Sequence, residues 1–323
     1  MTAGGSTDAG LGTIRIGTRA SLLARTQTQL VADALIARGA EVETVHITTD
    51  GDRTQAAGTP IPGTGVGVFT SALRDALLDE RIDVAVHSYK DLPTAPLPGI
   101  VLAAVPERAD PRDVLVARDH MVLGELPPGS VVGTGSPRRT AQIDALGLGL
   151  QVVGIRGNVE TRIRKVTDGE VDGVVLARAG LARIGRAGDA TEVLDPVQML
   201  PAPGQGALAV ECRVADTALE TFLRETLHDE ATAAAVTAER AVLAELGSPC
   251  DAAIGALADV VEDLDDDGRI VERLSLRAFA TTAEGALVRN SATGETKDAE
   301  QLGRSLAAEL LADGAEPRGA TSA

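Results

Sequence analysis

Residues 82–93 read I-D-V-A-V-H-S-Y-K-D-L-P, and this stretch indicates an α/β fold with a site at a strand end. Ile82, Val84, Ala85 and Val86 form a short, largely β-branched apolar run, which is typical of a strand buried on both faces of a sheet. Pro93 cannot donate to a ladder and ends the strand. Ligands of open α/β sheets bind outside the carboxyl ends of strands, so Lys90 and Asp91 are candidate site residues. The alternative is a solvated turn, in which Asp and Pro are common.

The bulk composition is that of a globular chain of 323 residues, with 44% hydrophobic and 24% charged residues. A net charge of −17 and an aromatic content of 1% argue against a nucleic-acid partner. Without a targeting peptide or an apolar run of about 18 residues, we expect a cytoplasmic protein with no membrane partner. Two cysteines form no disulfide framework, and four scattered histidines predict no metal site.

The order of elements predicts two α/β lobes around a cleft, followed by a C-terminal α+β domain. Short β-like runs alternate with helical segments through residues 13–107 and again through residues 110–202. A later β-like run, 208–212, can return to the first lobe, so that two chain crossings join the lobes. The predicted units are therefore 13–107 with 203–226, then 110–202, then 229–315.

Two segments of the first lobe carry further predictions. Ser21 is a plausible N-cap for a long amphipathic helix. The side chains expected to point inward from this helix are Leu22, Leu23, Leu30, Leu35 and Ile36. Residues 50–67 are rich in Gly, Thr and Pro and have no period, which predicts a mobile loop over the cleft.

In the C-terminal domain the sequence predicts two strands and two helices. The strands are expected at 253–260 and 270–280, and the helices at 231–246 and 299–311. The acidic stretch 263–268 is interpreted as a hairpin turn.

Arginines gather at the ends of the predicted strands. Arg15 and Arg19 flank the first strand, and Arg138 and Arg139 follow G-T-G-S-P, where Ser136 is the predicted N-cap of a helix. A helix N-terminus favours negative charge. Similar positions are held by Arg156, Arg162 and Arg183. Any one arginine could be a solvated surface residue, but their clustering predicts a polyanionic ligand, because arginine binds carboxylates through a rigid, permanently charged fork.

These motifs together resemble the porphobilinogen deaminase family. The stretch 87–93 is similar to the family's H-S-x-K-D-x-P, and 15–24 to its R-I-x-T-R-x-S-x-L-A. The stretches 133–139 and 156–162 resemble G-T-S-S-L-R-R and R-G-N-x-x-T-R. Further along, P-A-P-G-Q-G-A-L-A-V-E-C-R is similar to P-A-x-G-Q-G-A-x-x-x-E-C-R, and L-G-S-P-C-D-A-A-I-G stands where the family has G-G-C-x-x-P-I-G.

The resemblance implies a transferase of tetrapyrrole biosynthesis that joins four porphobilinogen molecules head to tail, releasing ammonia and then hydroxymethylbilane. It implies two periplasmic-binding-protein-like lobes, a monomer, and a dipyrromethane cofactor held by a thioether to Cys250. Asp91 is the implied catalytic carboxylate. The implied cofactor-binding residues are Lys90, Ser136, Arg138 and Arg139. The implied substrate-binding residues are Arg15, Arg19, Ser21, Phe69, Arg156, Arg162 and Arg183.

The chain departs from the family pattern at four positions. Val66 and Asp50 stand where many relatives carry Lys and Arg, and Pro249 and Ala253 replace a Gly and a Pro near Cys250. Two alternatives therefore stay open. One is a two-lobed carboxylate-binding protein of the same fold, and the other is a deaminase homologue that loads no cofactor.

Overall fold

The structure is a computed structural model that describes residues 11–47, 68–247, 252–265 and 267–316. Strands and helices alternate through two five-stranded sheets, and the chain ends in a three-stranded antiparallel sheet. The predicted α/β fold with two lobes and a C-terminal α+β domain is confirmed. No helix within these ranges is long and apolar enough to span a bilayer.

The first lobe contains a mixed sheet with one strand from later in the chain. Its strands are β1 (Ile14–Thr18), β2 (Val42–His46), β3 (Val84–Ser88), β4 (Ile100–Ala104) and β10 (Leu208–Arg213). They lie in the order β2-β1-β3-β10-β4, with β1 parallel to β2 and β3 and with β10 antiparallel to β3 and β4. The helices packed on this sheet are α1 (Leu22–Ala37), α2 (Val68–Leu78) and α6 (Thr217–Leu227).

The second lobe repeats this plan. Its strands are β5 (Asp113–Ala117), β6 (Val131–Gly133), β7 (Gln151–Val153), β8 (Gly173–Ala177) and β9 (Glu192–Val193). They lie in the order β7-β6-β8-β5-β9, with β6 parallel to β7 and β8 and with β5 antiparallel to β8 and β9. Its helices are α3 (Pro137–Ala145), α4 (Val159–Thr167) and α5 (Arg178–Arg183).

Two crossings join the lobes, the first at 105–112 and the second at 194–207, and the second delivers β10 to the first sheet. The crossings touch at Gly206, where a Cβ atom would lie 2.3 Å from the carbonyl oxygen of Ala109. Gly206 also has a φ of +90°, which L-residues rarely adopt. Only glycine therefore allows the two crossings to approach so closely.

The C-terminal domain packs two helices on one face of its sheet. Its elements are α7 (Glu230–Glu245), β11 (Ile254–Leu264), β12 (Ile270–Thr281), β13 (Leu287–Glu295) and α8 (Ala299–Ala312). The pairing of Leu264 with Ile270 confirms the hairpin turn predicted at 263–268. The sequence did not predict β13.

The inward face of α1 differs from the prediction. Leu22, Leu30 and Ile36 are 40%, 50% and 51% exposed. Leu35 is buried as predicted, and the other buried side chains are Gln27, Thr28, Val31 and Ala32. The burial of Gln27 is compensated by a hydrogen bond, which its side-chain nitrogen donates to the Ser88 hydroxyl at 2.8 Å, where β3 ends.

Several predictions fall outside the described residues. They concern the loop 50–67 with Asp50 and Val66, and Cys250 with the neighbouring Pro249.

Candidate active site

A cleft of about 1230 Å³ lies between the two lobes. This volume exceeds the roughly 300–1000 Å³ of a pocket for one small ligand. Among the described residues its cationic lining consists of Arg19, Lys90, Arg139, Arg156, Arg162, Lys165 and Arg183. Its acidic lining consists of Asp91, Glu160 and Glu170. The cleft is thus a cationic region in a chain whose net charge is −17.

Asp91 reaches the cleft because β3 ends at Ser88 and a single 3₁₀ turn, Tyr89–Asp91, follows. Tyr89 is buried beneath the turn, and Leu92 closes it by donating to the Tyr89 carbonyl oxygen at 3.1 Å. The half-buried Asp91 carboxylate accepts no hydrogen bond from any described residue. The side chain is therefore held in place with its oxygens available to a ligand.

Lys90 lies beside Asp91, and its ammonium donates to the Gln205 Oε1 atom at 3.2 Å. Burial lowers the pKa of Lys90 to about 8, and the nearby Arg139 and Arg138 act in the same direction. Asp91 opposes this effect because a neighbouring negative charge stabilises the ammonium. A ligand carboxylate would stabilise the charged form of Lys90 further.

Two arginines of the second lobe that line the cleft are also cations whose pKa is lowered by burial. Burial lowers the pKa of Arg183 to about 10, and burial together with the charge of Arg139 lowers the pKa of Arg162. Within the part of the chain that the structure describes, each donates to one backbone carbonyl, Arg183 to Gly206 at 2.6 Å and Arg162 to Gly157 at 2.9 Å. Most of their donors therefore remain for an anionic ligand.

Arg138 and Arg139 begin α3 and share one buried carboxylate, Asp113. Arg139 binds both oxygens of Asp113, at 3.2 and 2.8 Å, and Arg138 binds one at 2.8 Å. Burial alone would raise the pKa of Asp113, but the two guanidinium groups hold it well below its usual range. Arg139 also lines the cleft.

The resemblance implies that Arg138 binds the cofactor. In the structure its guanidinium lies behind the wall of the cleft. Arg138 is 3% exposed, and its remaining terminal nitrogen donates to the Leu200 carbonyl oxygen at 2.5 Å. Both ends of the guanidinium are thus engaged by the protein, and Arg138 does not line the cleft.

Arg15, which the resemblance implies to be a substrate-binding residue, is not among the described residues that line the cleft. It is the second residue of β1, at the end of the strand opposite Arg19. Its side chain binds both oxygens of Asp83, at 2.9 and 2.7 Å, and Arg213 binds the same carboxylate at 2.8 Å. Arg15 therefore pairs at the amino-terminal edge of the first sheet.

The remaining predicted residues differ in placement. Ser21 caps α1 by accepting a hydrogen bond from the Ala24 amide at 3.3 Å, and it lines the cleft. Ser136 occupies the N-cap position of α3 but makes no capping hydrogen bond. Phe69 lies in α2, but its side chain is not part of what the structure describes. Cys250 lies outside the described residues.

Three residues that the sequence did not single out join the predicted set. Gln27 and Gln205 line the cleft, and Asp113 anchors the arginine pair. Gln205 stands inside the P-G-Q-G motif, so its position was visible in the sequence. Its burial was not, because it depends on how the two crossings pack.

Two family models match the chain. One, described as "Porphobilinogen deaminase, dipyromethane cofactor binding domain", covers residues 14–221, and the other, "Porphobilinogen deaminase, C-terminal domain", covers residues 233–312.

The chain is also similar to curated proteins named porphobilinogen deaminase. It is 61% identical to that of Nocardia farcinica (strain IFM 10152), over 94% of this chain and 86% of the relative. It is 59% identical to that of Mycobacterium avium (strain 104), over 94% and 95%. Among solved structures, the methionine-binding protein MetQ matches with a TM-score of 0.43 and 14% identity, over 66% of this chain and 89% of that one.

Proposed function

The chain belongs to the porphobilinogen deaminase family, a family of tetrapyrrole biosynthesis, and we propose that its cleft performs that family's reaction with Asp91 as the catalytic carboxylate. The reaction joins porphobilinogen units head to tail and releases ammonia, as a transferase of the hydroxymethylbilane synthase type does.

One observation carries this proposal: incompletely paired cations and an available carboxylate share a cleft large enough for several rings. Burial lowers the pKa of Lys90, Arg162 and Arg183, so each would gain from an anionic ligand. Each charge-assisted hydrogen bond to a carboxylate contributes roughly 1.5–3 kcal/mol. A chain of pyrroles bearing acetate and propionate groups would satisfy several of them together.

The same residues fit the dipyrromethane cofactor that the family model names. Lys90 and Arg139 would hold its carboxylates in the centre of the cleft, and Cys250 is the proposed point of attachment. When bound, the cofactor supplies the pyrrole ring to which the first substrate unit is joined.

Asp91 has the chemistry that loss of ammonia requires. A carboxyl group can protonate a leaving amine, and the resulting carboxylate stabilises positive charge on the pyrrole that loses it. The closed turn after β3 fixes this group, so that little reorganisation is needed during the reaction. Arg19, Arg156 and Arg162 are proposed to bind the side chains of incoming units.

Three broader points complete the proposal. We take residues 13–107 with 203–226, 110–202 and 229–315 as its domains, since β10 pairs within the first sheet. A monomer suffices, because residues of one chain line the cleft from both lobes. The scarcity of cysteines, two in 323 residues, supports a cytoplasmic location.

The test compares the wild-type protein with Asp91→Ala. The wild-type intact mass is expected to exceed the sequence mass by two linked pyrroles, and the protein is expected to convert porphobilinogen to hydroxymethylbilane. Asp91→Ala is expected to lose at least about 10²-fold in kcat. Asp144→Ala, an exposed change on α3, is the matched control. A wild-type protein that binds porphobilinogen without turnover would favour the carboxylate-binding alternative, and near-normal turnover by Asp91→Ala would remove Asp91 from its role.

A further inference from the structure

Gln205 is a buried polar residue at the centre of the cleft wall, with 1% of its surface exposed. Its side-chain oxygen accepts a hydrogen bond from the Lys90 ammonium at 3.2 Å. Its side-chain nitrogen donates to the Asp113 carboxylate at 2.8 Å and to the Pro111 carbonyl oxygen at 2.7 Å. The amide therefore bridges a cation of the first lobe and an anion of the second.

The backbone of Gln205 is held as firmly as its side chain. Arg108 of the first crossing donates to the Gln205 carbonyl oxygen at 2.8 Å. Gly204 and Gly206, on either side, have φ values of +74° and +90°, so only glycines are unstrained there. The Gly204 amide also donates to Glu239 of α7 at 2.6 Å. The side chain of Gln205 thus starts from a fixed position where the two crossings meet.

An amide suits this bridge better than any charged group. The Lys90 ammonium can only donate and the ionised Asp113 can only accept, so the bridging residue must offer both an acceptor and a donor. Asp113 in turn holds Arg139, whose guanidinium lines the cleft. A change in the position of Gln205 would therefore also change the positions of Lys90 and Arg139.

We propose that Gln205 is a positioning residue for the reaction, holding the Lys90 ammonium beside Asp91 and linking it to the Asp113–Arg139 pair across the two crossings. This inference rests on the proposed function. It assigns the glutamine no contact with the reacting atoms, since its side chain already makes three hydrogen bonds to other described residues of the protein.

The test uses two substitutions that differ in what they leave for Lys90. Gln205→Met keeps the length of the side chain and removes both hydrogen-bonding groups. Gln205→Glu keeps an oxygen acceptor for Lys90. A residue needed only for packing or folding would change the protein in the same direction in both variants, whereas the proposed role separates them.

The readout is the titration of Lys90 itself. The chain has only three lysines, Lys90, Lys165 and Lys297, so reductive methylation with ¹³C-formaldehyde gives three lysine signals beside that of the N-terminal amine, and single Lys→Arg variants assign the three. The charged and titratable groups that act on Lys90 are Asp91, Asp113, Arg138 and Arg139. In Gln205→Met the pKa of Lys90 is expected to fall by about one unit, because one hydrogen bond to the charged form is lost. In Gln205→Glu it is expected to stay or rise.

Activity supplies the second readout. A Lys90 with a lower pKa loses its charge at a lower pH, so the alkaline limb of kcat/KM is expected to move to lower pH in Gln205→Met and not in Gln205→Glu. Gln301→Met, an exposed glutamine on α8 that donates to Ser305, is the matched control and should change neither readout. An unchanged Lys90 titration in Gln205→Met, or the same downward shift in both variants, would overturn the inference. A wild-type protein without turnover would instead refute the proposed function and leave the Lys90 titration to decide the role of Gln205.

Discussion

Two neighbouring arginines, Arg138 and Arg139, have different surroundings although the sequence presents them as a pair. Both bind Asp113, but only Arg139 lines the cleft. Arg138 is buried, and both of its terminal nitrogens donate to the protein, one to Asp113 and one to the Leu200 carbonyl oxygen. A guanidinium in such a place stabilises the fold by neutralising a buried carboxylate, whereas Arg156 is exposed in the cleft and can act directly on a ligand.

Replacing Arg138 by Leu should therefore lower the stability of the fold, whereas replacing Arg156 by Leu should weaken substrate binding. Arg138→Leu leaves Asp113 with one cation fewer, and breaking a buried pair costs about 3–5 kcal/mol. We expect a clearly lower midpoint of thermal unfolding. Arg156→Leu should leave that midpoint almost unchanged but raise KM for porphobilinogen by about ten-fold or more, the loss of one charge-assisted bond. Equal thermal midpoints for the two variants would contradict this division.

At the scale of elements, α7 of the C-terminal domain supports the turn that carries Asp91. Arg240 on this helix donates to the carbonyl oxygens of Tyr89 at 3.2 Å, Leu92 at 3.0 Å and Pro93 at 2.6 Å. Its guanidinium also lies 4.6 Å from the centroid of the Tyr89 ring. One side chain of a different domain thus binds three carbonyls on both sides of Asp91.

Arg240→Met is expected to lower kcat by about ten-fold or more with little change in KM, because a small displacement of a catalytic group can cost up to about 10²-fold in rate. The Arg and Lys side chains that line the cleft remain in this variant, so binding should persist. Steady-state kinetics against Arg304→Met, an exposed arginine on α8 paired with Glu300, measure the effect. An unchanged kcat would show that the turn holds its shape without Arg240.

The elements also show what the sequence could and could not predict. The short β-branched strands and the strand end at Asp91 were predicted, because burial on both faces imposes an unmistakable composition. The strand β13 was missed because its sequence, L-V-R-N-S-A-T-G-E, contains few apolar residues. It lies at the edge of its sheet, and every second side chain from Arg289 onward is exposed. The pairing of Arg15 with Asp83 was not predicted, because spacing shows proximity to a strand but not which end of the strand faces the cleft.

At the scale of the whole molecule, a single carboxylate joins the C-terminal domain to both crossings. Glu239 of α7 is fully buried and accepts two hydrogen bonds from Arg108 of the first crossing, at 2.6 and 3.0 Å. It also accepts from the amides of Gly204 in the second crossing and Ala258 in β11, at 2.6 and 2.9 Å. A change in the relative position of the lobes requires these crossings to bend. Glu239 therefore links the third domain to the segments that would bend.

Glu239→Gln should loosen the crossings selectively. The amide keeps nearly the same shape but removes the charge that compensates Arg108, and a buried charge left without its partner destabilises its surroundings by about 3–5 kcal/mol. We expect faster amide hydrogen exchange in residues 105–112 and 194–207, while β1 and β8, in the interiors of the two sheets, keep the protection of the wild-type protein. The measurement is hydrogen exchange followed by mass spectrometry.

Glu309→Gln, an exposed change on α8, serves as the control. A uniform increase across both sheets would mean that Glu239 stabilises the fold as a whole, and unchanged exchange in the crossings would mean that Gly206 and its close contact with Ala109 hold them without the carboxylate.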